Sequence, residues 1–95
     1  MDLLDAVIKN DIHKVKILLE QGADPNQSDD WAKVTPLHHA AYNNSVEMAS
    51  LLIAAGAKMD SRDNIDKETP LDVARVHGHK EMIKFLISSH EGGHI

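Results

Sequence analysis

Histidine is the residue type with the greatest chemical capacity in this sequence, which contains seven histidines among 95 residues. An imidazole ring can bind a metal ion or transfer a proton near neutral pH. His90 and His94 have the spacing of two ligands on one helix face, but two consecutive glycines lie between them and disfavour a helix. His77 and His79 flank a glycine, and residues at this separation do not face a common point on a regular helix. We therefore expect neither a metal site nor a cofactor.

Motifs for nucleophilic catalysis or phosphate binding are absent from the sequence. None of Ser45, Ser50 and Ser61 lies in the glycine-flanked turn that exposes a catalytic serine. No glycine-rich loop precedes a lysine in the arrangement that binds phosphate groups. The acidic residues are scattered instead of being paired, which is typical of a solvated face. The sequence therefore predicts a protein that is not an enzyme.

The composition is that of one small soluble domain. Apolar residues make up 42% of the chain and charged residues 26%, and the formal net charge is −5. An acidic chain repels phosphate backbones, so we expect no nucleic-acid partner. The first residues contain no long apolar run, so we expect neither a signal peptide nor a membrane span. Cysteine is absent, which fits a reducing compartment. These features predict a monomer in the cytoplasm or the nucleus.

The sequence repeats itself at a constant spacing. The Thr-Pro-Leu triplet at 35–37 returns at 69–71, and the Gly-Ala pair at 22–23 returns at 56–57. Both pairs of segments are separated by 34 positions. Identities at several separate positions of one unit indicate internal repeats, and repeats of this length are the mark of a protein built from stacked units.

Each unit predicts two short helices joined by a tight turn. In the second unit, Thr35 can cap a helix that begins at a proline. The Asn-Asn-Ser sequence at 43–45 ends that helix and caps the next one. The second helix is apolar on most sides, so we expect it to be buried, and Gly56 ends it. No segment alternates with a period of two, so no sheet is expected.

Three such helix pairs are expected to share one core, because a pair this short cannot bury its own apolar face. The sequence therefore predicts a single all-α domain over 1–95, without an internal boundary. Its repeats are placed at about 1–27, 28–61 and 62–90, and a tail follows at 91–95.

The repeats resemble those of ankyrin-repeat proteins. Residues 35–40, Thr-Pro-Leu-His-His-Ala, match the family signature T-P-L-H-x-A in full, and residues 18–26 resemble the helix end and turn of the family. The resemblance covers about residues 2–89. It implies an α-solenoid of three helix-turn-helix units with finger-like turns between them. It also implies that His38 forms a hydrogen bond to turn backbone and that His39 lies at an inter-repeat contact.

The sequence departs from the family pattern in its turns and its last unit. Each repeat is one position longer than the usual unit of the family, and the additional residue falls in the turns at 29–34 and 63–68, which both lack the usual glycine. We therefore expect turns of altered shape. Asp72 stands where the second unit has a histidine, which resembles a closing repeat with a more polar outer face. We expect a complete small protein that is capped at both ends.

The resemblance implies that a partner protein binds to the tips of the turns and to the exposed face of the first helices. We call this surface the strip. Ile8 and Lys9 belong to it in the first unit. In the other units the strip and predicted partner-binding site consists of Trp31, Lys33, Val34, Tyr42, Asn43, Ile65, Lys67, Glu68, Val76 and His77. Trp31 has two alternative placements, folded over an apolar edge of its turn or exposed as a binding anchor.

Three functions are compatible with the sequence. The first is a non-enzymatic adaptor or inhibitor that tethers or occludes a partner protein. The second is a structural subunit of a larger assembly, and the third is a small effector-type or immunity-type protein. The segment at 18–26 also resembles the site of an asparaginyl hydroxylase that modifies ankyrin proteins, with Asn26 at the modified position and Pro25 in place of the usual valine.

Overall fold

The computed structural model describes the backbone of residues 2–92 and the side chains of residues 2–89. This part of the chain contains six α-helices and no strand. The helices are α1 (Leu3–Ile8), α2 (Ile12–Glu20), α3 (Pro36–Tyr42), α4 (Val46–Ala54), α5 (Pro70–Val76) and α6 (Lys80–Gly92). They form three pairs, so the prediction of an all-α chain of three helix-turn-helix units is confirmed.

Each of the first five helices begins after a side chain that caps it. Asp2, Asp11, Thr35, Ser45 and Thr69 each accept a hydrogen bond from the backbone N–H three residues later. These bonds satisfy donors that have no partner inside the helix. A proline follows each threonine, at the position where its missing N–H costs no intrahelical bond. The predicted caps at Thr35 and Ser45 are confirmed.

The turn inside each helix pair depends on one residue with a positive φ. Asn10, Asn44 and Gly78 occupy equivalent positions in the three repeats and have φ values of 55°, 55° and 67°. In the second pair, the N–H of Ser45 then donates to the carbonyl of Ala40 at 3.0 Å, which closes the helix end. Asparagine and glycine adopt this conformation more readily than other residues, so these positions specify the short connection.

The six helices form two layers. α1, α3 and α5 contact one another in that order as an inner layer, and α2, α4 and α6 do the same in an outer layer. Ala6, Ala40 and Ala74 are at most 1% exposed and recur at the repeat spacing, where their small size lets the inner helices approach closely. The core between the layers is continuous from Leu3 in the first repeat to Leu86 in the third.

One prediction about the outer layer is corrected. Leu52 of α4 is fully buried, but Leu51 and Ile53 are only half-buried, because the helices described within residues 2–92 form no third layer over this side. α6 continues to Gly92, so the last helix includes the first two residues of the predicted tail at 91–95.

We expect the domain to unfold in a single step, because the three helix pairs share one core. In urea, the far-ultraviolet circular dichroism of the helices should have the same midpoint as the methyl NMR signals of Leu3 and Leu86, which lie in the first and third repeats. Different midpoints for these two leucines would show that the repeats unfold separately.

Candidate functional site

The two long turns of the strip are each closed by their first residue. We call residues 29–34 the first turn and residues 63–68 the second turn. The Asp29 carboxylate accepts hydrogen bonds from two backbone N–H groups of the first turn. The Asp63 carboxylate accepts two from the second turn, at 2.9 and 2.7 Å. An aspartate that binds backbone N–H groups a few residues later fixes the shape of a turn, so the two turns have equivalent anchors.

A lysine occupies a left-handed backbone conformation in each turn. Lys33 has a φ of 55° and Lys67 a φ of 58°. Glycine adopts this conformation without steric cost, whereas another residue loses roughly 1–2 kcal/mol. The absence of glycine from these turns predicts an altered shape. The backbone nevertheless adopts the left-handed conformation that glycine favours, and lysine is the residue that adopts it. The hydrogen bonds of each turn therefore stabilise a strained backbone conformation next to the residues that are predicted to bind a partner.

The two turns are joined directly to each other by hydrogen bonds. The backbone N–H of Asn64 donates to the carbonyl of Ala32 at 2.8 Å. The side-chain amide of Asn64 donates to the carbonyl of Trp31 at 3.1 Å. One residue of the second turn therefore fixes the position of the first turn, on the segment that carries Trp31.

His38 connects α3 to the second turn, as predicted. Its Nδ1 accepts a hydrogen bond from the backbone N–H of Thr35 at 3.1 Å, so its Nε2 carries the hydrogen. Nε2 lies 2.7 Å from the carbonyl of Glu68 and donates to it. The ring is buried, with 2% of its surface exposed. His38 therefore has a structural role, and neither ring nitrogen is free for catalysis or for a metal.

Every large apolar side chain that is exposed within residues 2–89 lies on the strip. The five exposed fractions range from 49 to 80%. The residues are Ile8, Trp31, Tyr42, Ile65 and Val76. Trp31 is the most exposed at 80%, so the alternative in which it folds over its own turn is wrong.

The strip contains two hollows that share one residue. The first hollow, which we call the groove, has a volume of about 250 Å³, and five of the predicted residues line it. They are Val34, Tyr42, Ile65, Glu68 and His77. Ile65 also lines an open depression of about 560 Å³, which we call the tip depression, together with Trp31, Asn64 and Lys67. The two hollows therefore form one connected surface.

The site residues predicted from the sequence and the residues that line the two hollows differ at several positions. Lys33, Asn43 and Val76 are exposed but line neither hollow. The site prediction omitted five residues that do line the groove, namely His38, His39, Asp63, Asp66 and Val73. The sequence contained a signal for two of these five. His39 precedes Tyr42 by three residues and Val73 precedes His77 by four, which are spacings of residues on one helix face.

An aromatic cluster connects the second and third repeats at the edge of the groove. The rings of Tyr42 and His77 meet edge to face, with centroids 4.7 Å apart. His77 and His79 are stacked at 5.8 Å, a contact that two residues at this separation on a regular helix would not make. His77 caps the end of α5 and Gly78 is left-handed, so regular helical geometry does not apply between the two histidines. The Nε2 of His79 also lies 2.9 Å from the carbonyl of Tyr42.

Three pKa values near the strip and the cap of α5 are shifted. Burial lowers the pKa of His39 below its usual 6.5, and the neighbouring His38 lowers it further. Burial acts to raise the pKa of Asp63, but the backbone N–H groups that donate to it outweigh burial, so this pKa lies below its usual 3.8. The backbone N–H of Thr69 lowers the pKa of Asp72 in the same way. At neutral pH His39 is therefore neutral and both aspartates are ionised.

We expect the free energy of unfolding to fall in two stages as the pH is lowered. The pKa of His39 is lower in the folded chain, so the unfolded chain binds this proton more readily and stability is lost below about pH 6.5. The lowered pKa values of Asp63 and Asp72 add a second loss of stability as the pH falls below about 4.

Urea titrations between about pH 7 and about pH 5 measure the first loss, which His39→Gln should reduce. His13→Gln, which changes an exposed histidine of α2, serves as the control, and equal slopes in the two variants would contradict this assignment.

The described side chains offer no metal site. Within residues 2–89, no three His, Asp or Glu side chains are grouped so that they could hold a metal ion. The pair His90 and His94, considered from the sequence, lies outside the described side chains. We expect a chelator such as EDTA to leave the melting temperature unchanged. A marked decrease with EDTA would show that a metal ion contributes to folding.

Asn26 connects the first and second repeats. Its side-chain oxygen accepts a hydrogen bond from the N–H of Lys58 at 2.7 Å, and its amide donates to the carbonyl of Gly56 at 3.2 Å. The side chain that resembles a hydroxylation target is therefore engaged in holding two turns together, and hydroxylation of Asn26 stays a prediction.

The family comparison matches this architecture. A family model described as ankyrin repeats, in three copies, matches residues 3–95. A comparison with curated proteins finds no match. None of the described helices is long and apolar enough to cross a membrane. The three helix pairs, the threonine-proline helix starts and the hydrogen bond from His38 to turn backbone are the features that the sequence resemblance implied. The chain belongs to the ankyrin-repeat family.

Proposed function

We propose that this protein is a non-enzymatic adaptor or inhibitor that binds a partner protein through the strip. Ankyrin repeats are in general protein-protein interaction modules. The observation that carries the proposal is that all five exposed large apolar side chains of residues 2–89 lie on the strip. Exposed apolar surface that is concentrated in one region is typical of an interaction site.

The scaffold behind the strip supports the same proposal. The two turns are anchored by Asp29 and Asp63 and joined through Asn64. His38 fixes the second turn to α3. Because these bonds exist in the free protein, little conformational entropy remains to be lost when a partner binds.

We infer that the partner is neither a nucleic acid nor a membrane and that the protein acts as a monomer in the cytoplasm or nucleus. The formal net charge of −5 opposes binding to phosphate backbones. The absence of cysteine fits a reducing compartment. A molar mass of about 10.5 kDa by light scattering would support the monomer, and a multiple of this mass would contradict it.

The experiment that tests the proposal is a pull-down from the source cell with matched baits, followed by mass spectrometry. One bait carries Trp31→Ala together with Ile65→Ala, which removes two exposed residues of the tip depression. The control bait carries Ser50→Ala, an exposed position of α4 in the outer layer. The proposal requires a stoichiometric partner that the control bait retains and the double variant loses. Equal recovery by both baits would contradict binding through the strip.

The composition of the recovered complex separates an adaptor or inhibitor from a structural subunit. An inhibitor predicts one partner whose own activity decreases when this protein is added in stoichiometric amount. A structural subunit predicts several proteins that co-purify in fixed ratio. An adaptor predicts two partners, each of which binds this protein in the absence of the other.

A further inference from the structure

The groove is lined by three acidic side chains and three histidines but by no lysine or arginine, although the strip as a whole contains lysines. Asp63, Asp66 and Glu68 line the groove, and no lysine or arginine does. Lys67 lies between two of these acids in sequence but lines the tip depression instead. The geometry points to a basic side chain of the partner, an arginine or lysine in an exposed protein segment, as the occupant of the groove. This inference rests on the proposed function and names the chemistry of the partner.

The three carboxylates of the groove form no ion pair within 4 Å among the side chains of residues 2–89. Arg62 with Asp72 is the one ion pair within 4 Å among residues 2–89, at 3.7 Å. Asp63 is buried with 6% of its surface exposed and is stabilised as an anion by backbone N–H groups. Three carboxylates with no lysine or arginine in the same lining give the hollow a negative potential, which favours a cation and opposes an acidic ligand.

The remaining walls of the groove fit the stem of a long basic side chain. Val34, Tyr42, Ile65 and Val73 provide apolar surface along it. Arginine and lysine place their methylene groups on such surface while the charged head reaches polar atoms. Tyr42 is exposed, and a cation can also be attracted to the face of its ring.

The size of the groove favours one side chain over a separate small molecule. Its volume of about 250 Å³ is below the range of roughly 300–1,000 Å³ that is typical of small-molecule pockets. The adjoining tip depression with Trp31 and Ile65 offers apolar contact to the residues next to the basic one. The expected ligand is therefore a peptide segment with one basic residue beside apolar ones.

An NMR titration of the full chain tests this inference with defined probes. The probes are the blocked peptides acetyl-Ala-Ala-Arg-Ala-Ala-amide and its citrulline analogue, which has nearly the same shape but no charge. The arginine peptide should shift the amide signals of Tyr42, Ile65, Asp66 and Glu68. The citrulline peptide should shift them much less at equal concentration. Equal shifts with both peptides, or no shift of these signals with arginine, would overturn the inference.

Charge variants provide the second arm of the test. Asp66→Asn with Glu68→Gln keeps the size of both side chains and should weaken binding of the arginine peptide by about tenfold. Asp30→Asn with Asp60→Asn changes two acids that do not line the groove and should leave binding nearly unchanged. Raising the ionic strength from about 0.05 to about 0.5 M should also weaken binding of the arginine peptide. Unchanged affinity in the groove variant would overturn the inference.

The same variants distinguish failure of this inference from failure of the proposed function. Suppose that the partner recovered by pull-down is lost with Trp31→Ala and Ile65→Ala but keeps its affinity for the groove variant. The strip then binds the partner and the assignment of a basic side chain is wrong. If the double tip variant retains the partner, the proposed function fails, whatever the arginine peptide does.

Discussion

Replacing Leu52 with alanine should lower the free energy of unfolding by roughly 2–5 kcal/mol. Leu52 lies in α4, and none of its surface is exposed. α4 contacts α2 on one side and α6 on the other, so neighbouring side chains cannot fill the cavity without disturbing both contacts. Small domains have total stabilities on the order of 5–15 kcal/mol, and this loss is therefore large enough to unfold part of the population at moderate temperature. Urea and thermal denaturation measure it.

Leu51→Ala is the matched control for this prediction. Leu51 is adjacent in sequence but only half-buried, so we expect a smaller loss of about 1–2 kcal/mol. A Leu52 variant with an unchanged melting temperature, or a larger loss at Leu51 than at Leu52, would show that the face of α4 that packs into the core is not the one that carries Leu52.

The helices and their pairing could be predicted because local signals and the repeat spacing agree. Thr35 and Ser45 are helix caps in sequence and in structure. Gly78 and Asn44 lie one repeat spacing apart and both adopt the left-handed conformation that ends a helix. Capping and helix termination depend on residues within a few positions of each other, so they can be read along the chain.

The turns were harder to predict because their shape depends on bonds between repeats. The absence of glycine suggested an altered turn, yet Lys33 and Lys67 take the left-handed conformation. The bond from Asn64 to the carbonyl of Ala32 joins the turns of two different repeats, and no local pattern indicates it. The position of Trp31 stayed open in the sequence for the same reason, and its exposure is decided by how the two turns meet.

The region of the candidate site could be predicted from the sequence, but the residues that line its hollows could not. Trp31, Tyr42 and Ile65 were assigned to it by repeat position, and all three line its hollows. Asp63 was not assigned, because a buried carboxylate that backbone N–H groups keep ionised cannot be recognised before the turn is folded. The charge of the groove is therefore a property of the structure and not of the composition of the strip, which includes lysines.

Trp31→Ala should weaken binding of the partner protein by about 2 kcal/mol or more while changing the melting temperature little. Trp31 is 80% exposed, so its indole contributes little to the folded core, and its carbonyl, which Asn64 binds, remains in the variant. Tryptophan side chains that become buried at an interface are among the residues whose truncation costs the most affinity. Isothermal calorimetry with the recovered partner measures the loss.

Two comparisons make the Trp31 result specific. Tyr42→Ala should cost less affinity, because Tyr42 is less exposed and its ring already contacts His77. Ser50→Ala in the outer layer should cost none. A Trp31 variant that loses stability first, with affinity decreasing only in proportion to the unfolded fraction, would contradict a direct role in binding.

The most direct test of the account is the fluorescence of Trp31 in the free and the partner-bound protein. Trp31 is the only tryptophan of the chain, so a partner without tryptophan, or one labelled to separate its signal, leaves Trp31 as a reporter of the tip depression. We predict long-wavelength emission and efficient quenching by acrylamide in the free protein, because 80% of the residue's surface is exposed. Binding should shift the emission to shorter wavelength and protect the indole from acrylamide. Saturating partner that leaves both emission and quenching unchanged would contradict binding through the strip.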